Sequence, residues 1–123
     1  MSDAYAKIDV NEVIRLCNQA LENIKIARNR QWNKEIDLYI EKNSKPKFFG
    51  WIQPKTISRE EACAALTNDQ YLCGFSTYTF VQTNYAVLKE RIVALNILAA
   101  ASNESWILVD SELFNHLSNW QTV

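Results

Sequence analysis

Residues 9–28 read DVNEVIRLCNQALENIKIAR, and this stretch predicts the first and longest element of the chain. Asp9 can cap a helix that has Glu12 in its first turn, and Ile8 can pack on Val13 as a hydrophobic staple. Apolar side chains then recur at helical spacing at Val10, Val13, Ile14, Cys17, Leu21 and Ile24. The pattern predicts a long helix with one apolar face.

The end of this helix is less sharply marked than its start. The pattern loosens near residues 28–32 and resumes at Trp32 and Ile36, so either one helix runs to about Lys42 or two helices meet near residues 29–33. One kinked helix is favoured. Pro46 ends it, because proline cannot donate a backbone hydrogen bond and disfavours helical geometry in the preceding residue.

Three segments are predicted as short strands. Lys47–Gln53 is a strand or extended loop, and the following Pro54 gives it an edge position in a sheet. Tyr71–Thr83 is the strongest candidate, because it is rich in Tyr, Phe, Thr and Val and alternates from Phe75 onward. Trp106–Val109 is a four-residue apolar run.

Two short helices have clear caps. One covers residues 59 to about 66, with Ser58 as its cap and Glu61 returning the hydrogen bond. The other closes the chain after Asp110 or Ser111, and it carries Leu113, Leu117 and Trp120.

A further helix is predicted from Tyr85 to about Ala101, with Thr83 or Asn84 as its cap. It is apolar over most of its circumference apart from the solvated strip at residues 89–91. A helix of this kind is typical of a buried position, so we expect it at the centre of the core.

The predicted class is α+β: a long N-terminal helix and a small sheet of about three short strands covered by helices, in a single domain over residues 1–123. A small α/β layer arrangement and an all-helical domain remain as alternatives. A chain of 123 residues with 48% hydrophobic and 22% charged residues has the size and composition for one such core.

The chain shows no signal for a membrane or for secretion. Its first ten residues lack a continuous apolar stretch, and its most apolar run is far shorter than the roughly 20 residues that span a bilayer. Three separated cysteines without a CxxC motif fit reduced, buried thiols. We therefore expect a cytoplasmic protein.

The chain lacks the sequence motifs of several enzyme classes. With Gly50 and Gly74 as its only glycines, the chain can form neither a phosphate-binding P-loop nor a dinucleotide fingerprint. His116 is the only histidine, which disfavours a metal site. No cofactor or metal is expected.

Nucleophilic catalysis would have to use Cys63 or Cys73 with His116 and Asp110, and no family-specific spacing supports that set. The alternative interpretation, three small buried thiols and a surface histidine, is favoured. The sequence therefore favours a protein that is not an enzyme, with a cysteine-dependent enzyme as the alternative.

The charge distribution is uneven although the formal net charge is only −1. Residues 25–55 contain eight basic and three acidic side chains, with aromatic residues among them. Rings beside cations are what binding of a nucleotide or a single nucleic-acid strand requires. That alternative function would use Arg28, Arg30, Lys34, Lys45 and Lys47.

The favoured function is that of a small binding protein acting through protein–protein contacts, with self-association and a regulatory or inhibitory role. Three large aromatic residues on one short extended segment, Phe48, Phe49 and Trp51, cannot all point into one core. With Lys47 and the C-terminal Trp120, they are the candidate contact residues, because tryptophan is enriched at interface centres.

Overall fold

The computed structural model describes residues 4–44 and 56–123, of which 69% are helical. In chain order the elements are β1 (Tyr5–Asp9), α1 (Val10–Asn43), α2 (Arg59–Asn68), α3 (Thr77–Thr83), α4 (Ala86–Ala100), β2 (Trp106–Asp110) and α5 (Ser111–Asn119). The α+β class is confirmed in this coarse form. The expected number of strands is wrong, since the described residues form a sheet of two strands.

The contacts divide the chain into two compact units. Unit 1 comprises Met1–Ala27 and Tyr85–Val123, and unit 2 comprises Arg28–Asn84. One boundary therefore falls inside α1. The assignment of residues 1–123 to a single domain stays a prediction.

In unit 1, β1 and β2 pair antiparallel with Tyr5 opposite Asp110 and Asp9 opposite Trp106. The burial of side chains alternates along both strands, so one face of the sheet packs inward. β2 confirms the predicted strand at residues 106–109. β1 was not predicted, because five residues of mixed polarity carry little signal until a partner strand lies beside them.

The core of unit 1 is formed by α1, α4, β2 and α5. Its buried members are Val13, Leu16, Cys17, Ala20, Ile24, Ile92, Leu95, Ala99, Val109, Leu113 and Leu117. Asn23 is also buried, and its amide nitrogen donates to the backbone oxygen of Trp120 at 2.8 Å. Trp120, the residue that follows α5, is thereby hydrogen-bonded to α1.

The start and continuity of α1 follow the prediction. The Oδ1 atom of Asp9 accepts from the backbone amides of Asn11 at 2.9 Å and Glu12 at 3.2 Å, which satisfies donors that the first turn leaves free. One helix continues to Asn43, so the one-helix interpretation is confirmed.

The buried cluster formed by the described residues of unit 2 is smaller than that of unit 1. Ile36 of α1 packs with Ala62 and Leu66 of α2, and Trp32 and Tyr39 lie against this cluster. The predicted cap of α2 is confirmed, because the Ser58 side chain accepts from the Glu61 amide at 3.1 Å. α2 ends at Asn68, two residues later than expected. The predicted strand at Lys47–Gln53 lies outside the described residues.

The predicted strand at Tyr71–Thr83 is wrong, because its second half is helix α3. Ser76 caps α3 by accepting from the Thr79 amide at 3.1 Å, and the Asp69 carboxylate accepts from the Thr77 amide at 2.6 Å. Thr77 and Val81 are both buried. Residues four apart share a face in a strand and in a helix, so the spacing of Thr77 and Val81 fits both structures. The capping bonds at the start of the segment favour the helix.

Helix α4 is confirmed in extent, but two predictions about it are wrong. Neither Thr83 nor Asn84 caps it; Tyr85 stands at the cap position with φ 64° and no capping side-chain bond. The helix is also not buried on all sides, since only Ile92, Leu95 and Ala99 are buried along it. A core of this size can cover only one face of a helix that packs on it.

Candidate interaction surface

One exposed apolar feature of unit 1 is a side of α4. Val87, Ile97 and Leu98 are 74%, 65% and 59% exposed, and Val93 and Ala94 are exposed beside them. At 100° per residue these five positions lie opposite the buried side of the helix. We call them the α4 outer face: Val87, Val93, Ala94, Ile97 and Leu98.

The charged residues of α4 are confined to its first half. Lys89 and Glu90 are exposed, whereas Arg91 lies 3.9 Å from Asp110 and 3.8 Å from Glu112 across to α5. No residue from Ile92 to the end of the helix carries a charge. The side-chain amide of Asn96 donates to Asn18 of α1 at 3.0 Å. The second half of the α4 outer face is therefore apolar and uncharged.

The outer face of the two-stranded sheet is a second, more polar surface. Tyr5, Trp106 and Leu108 are exposed there. The Lys7 ammonium lies 4.2 Å from the centre of the Trp106 ring and makes a cation–π contact with one face of that ring.

A third exposed apolar feature lies in unit 2, in the turn before α3. Leu72 is 94% exposed and Phe75 is also exposed. Gly74 has φ +82°, and its amide donates to the Tyr71 oxygen at 2.9 Å. The Tyr71 ring stacks on Phe80 at 4.7 Å. The turn therefore presents two large apolar side chains, Leu72 and Phe75, to solvent.

A groove of about 620 Å³ also lies in unit 2, lined by Glu35, Leu38, Tyr39, Glu41, Lys42 and Leu66. These described lining residues include two carboxylates and one ammonium. Among them there is no excess of positive charge to hold a phosphate.

The structure places only part of the predicted contact set. Lys45, Lys47, Phe48, Phe49 and Trp51 lie outside the described residues. Trp120 is half-buried, and its ring meets Tyr85 edge-on at 5.0 Å. Trp120 therefore packs within unit 1, and its role as a contact residue stays a prediction.

The described members of the predicted basic set differ in their surroundings. One guanidinium nitrogen of Arg28 donates to the Gln82 oxygen at 3.1 Å, and its buried Nε has no hydrogen-bond partner. Arg30 and Lys34 are exposed and lie four residues apart on one face of α1. Trp32, whose ring would have to stack on a base, meets Tyr78 edge-on at 5.1 Å.

The sequence set for cysteine chemistry is distributed over both units. Cys63 and Cys73 belong to unit 2, whereas Asp110 and His116 belong to unit 1. Asp110 caps α5, and His116 lies 3.9 Å from Glu112 rather than beside Asp110. The expectation of three buried thiols is wrong for the exposed Cys73, and Cys63 is half-buried.

Residues 4–44 and 56–123 contain no group of three or more His, Cys, Asp or Glu side chains placed to hold a metal ion. No helix among them has the length and hydropathy to cross a membrane.

Sequence reasoning missed the α4 outer face. It interpreted apolar residues around the whole helix as burial, although a core of this size can cover one side only. The same apolar pattern could have indicated an exposed apolar face, because a small core leaves one side of such a helix uncovered. Comparisons with protein-family models, curated proteins and solved structures gave no match.

Proposed function

We propose that this protein is a non-enzymatic binding protein that acts by contact with another protein chain, and that the α4 outer face is its contact surface. The observation that carries the proposal is the exposure of Ile97 and Leu98, 65% and 59%, on an uncharged half of a helix. Contiguous exposed apolar surface, unlike single exposed residues, marks interaction sites.

The energetics favour a covered state of this face. Fully burying a Val, Leu or Ile side chain contributes roughly 1.5–3 kcal/mol. The neighbouring Ile97 and Leu98 side chains each forgo more than half of that contribution while they face water. A partner that covers them recovers it.

The proposal includes a regulatory or inhibitory role and a cytoplasmic location. All three cysteines are free. Free thiols are typical of proteins that stay in a reducing compartment.

The test is site-specific photocrosslinking in cells that naturally make the protein. A benzophenone amino acid replaces Ile97 in one variant and the exposed polar Asn115 of α5 in a control. We expect a covalent adduct with a protein, identified by mass spectrometry, at position 97 and none at 115. Equal labelling at both positions, or no protein adduct at 97, would contradict the proposal.

Binding of a nucleotide or a single strand is the alternative that the exposed pair Arg30 and Lys34 supports. Titration of a fluorescent single-stranded oligonucleotide at two salt concentrations separates it from the first proposal. Binding that weakens steeply with salt, and that falls in an Arg30→Gln, Lys34→Gln variant, would favour the alternative. We expect no such binding.

A further inference from the structure

We infer that the free edge of β2 binds an extended polypeptide segment, which adds to the two-stranded sheet as a third strand. This site is separate from the α4 outer face. It follows from the hydrogen-bond register of the sheet and from the side chains along its two edges.

The register determines which backbone groups of β2 point away from β1. Just beyond one end of the ladder, the Val10 amide donates to the Ser105 oxygen at 2.9 Å. In an antiparallel pair, residues that exchange hydrogen bonds alternate with residues that exchange none. Counting from Ser105, Ile107 therefore bonds to β1, whereas the amides and oxygens of Trp106 and Leu108 point to the other side.

These outward backbone groups are unpaired. Among residues 4–44 and 56–123, the backbone amides and oxygens of Trp106 and Leu108 have no hydrogen-bond partner. Such groups recur at every second residue of a strand, about 6.8 Å apart. An extended polypeptide presents its own acceptors and donors at the same spacing, so one strand can bond to all four groups. This match specifies the occupant as an extended chain.

The side chains favour the edge of β2 over the edge of β1. The centre of β1 carries the exposed Lys7, and a lysine on an edge strand discourages pairing with another chain. β2 carries no charge from Trp106 to Val109, and Trp106 and Leu108 are 37% and 56% exposed. The edge of β2 therefore lacks the protection that Lys7 gives to β1.

The far end of β2 limits the length of the contact. The Asp110 carboxylate caps α5 and lies 3.9 Å from Arg91 of α4. The end of the strand is thus already engaged with two helices. The added strand therefore pairs with Trp106–Leu108 rather than with the whole of β2.

The register also indicates the side chains of the added strand. Residues opposite each other in neighbouring strands share one face of a sheet. Residues opposite Trp106 and Leu108 therefore lie on the outer face, beside two exposed apolar side chains. The partner that fits is an extended segment with apolar residues at alternate positions.

The first experiment measures amide exchange by NMR on the full chain. In the free protein the amides of Trp106 and Leu108 should exchange faster than those of Ile107 and Val109, which bond to β1. The probe is a peptide of about seven alternating valine and threonine residues, which favour strands. It should bind with a dissociation constant of roughly 0.1–1 mM and slow exchange at Trp106 and Leu108.

Two N-methylated peptides provide a matched pair that leaves the protein unchanged. Methylation of the valine amides removes the donors from the edge that places valine beside Trp106, and should weaken binding at least about tenfold. Methylation of the threonine amides leaves that edge intact and should have little effect.

Two proline variants test the protein side. Leu108→Pro removes an amide from the free edge of β2 without removing a bond to β1, and should weaken binding at least about tenfold. Lys7→Pro makes the same change on the free edge of β1 and should leave binding intact. If Leu108→Pro does not fold, the methylated peptides still test the edge.

Four results would each overturn the inference. They are slow exchange of the Trp106 and Leu108 amides in the free protein, no binding at about 5 mM peptide, protection of Lys7 instead of Leu108, and equal binding of the two methylated peptides. Ile97→Glu, on the α4 outer face, should leave peptide binding unchanged. This site and the proposed function can therefore fail separately.

Discussion

The thiol of Cys17 is fully buried in the core of unit 1, and this burial raises its pKa from 9.0 to about 11. Below pH 9 the thiol is protonated in both the folded and the unfolded chain. Between pH 9 and 11 the unfolded chain loses the proton and the folded chain keeps it, so the free energy of unfolding should fall as pH rises.

Urea unfolding at pH 8, 9, 10 and 10.5 measures this decrease. Cys17→Ala removes the titrating group, and after allowance for its lower stability at pH 8 its curve should decline less steeply across the same range. If the two proteins lose stability in parallel, the Cys17 thiol is not the group responsible.

Gly74 has a backbone conformation that side chains disfavour, with φ +82°, although a Cβ atom there would meet nothing within 4 Å. Gly74→Ala should therefore destabilise the protein by about 1 kcal/mol through the backbone alone. Gly74→Asn should cost less, because asparagine tolerates positive φ. Chemical denaturation of the three proteins gives the order, and equal stability of the alanine variant would contradict this explanation.

Among the secondary-structure elements, α5 has the clearest start. The Asp110 carboxylate accepts from the amides of Glu112 at 2.9 Å and Leu113 at 3.2 Å. Asp110→Ala should lower the free energy of unfolding by about 0.5–2 kcal/mol. Asp110→Asn retains an acceptor but loses the charge near Arg91, and should cost little, since exposed ion pairs contribute at most about 1 kcal/mol.

Thermal or urea unfolding of these two variants separates the cap from the ion pair. A loss in the asparagine variant as large as in the alanine variant would mean that charge, and not the capping bond, stabilises the start of α5.

At the scale of the whole molecule, the described cores differ in size. The core of unit 1 has eleven buried members and the α1–α2 cluster of unit 2 has three. Because local stability follows buried apolar contact, amides of α2 should exchange with solvent faster than amides of α4 and α5. Hydrogen exchange followed by mass spectrometry measures this. Protection of α2 as long-lived as that of α4 would contradict the prediction.

A core substitution in each unit provides the control. Leu66→Ala should speed exchange in α2, and Leu117→Ala should speed it in α5, each by removing a buried side chain whose loss costs roughly 2–5 kcal/mol. If neither variant changes exchange in its own unit, the assignment of these cores is wrong.

The features determined by sequence alone are local ones. Asp9, Ser58 and Asp110 mark helix starts because a capping side chain bonds amides two or three residues away, within one turn of chain. The long first helix and the strand at residues 106–109 follow from patterns that need no partner to be recognised. For the same reason the sequence was able to exclude P-loop and dinucleotide motifs.

Tertiary structure decided what depends on distant residues. Strand β1 forms because Trp106–Asp110 lies beside it, and the start of α3 is held in part by the Asp69 carboxylate, which accepts from the Thr77 amide eight residues along the chain. The exposure of Ile97 and Leu98 was decided in the same way. The sequence makes the second half of α4 largely apolar on every side, but only packing against α1 and α5 selects the side that is buried and leaves the other side exposed.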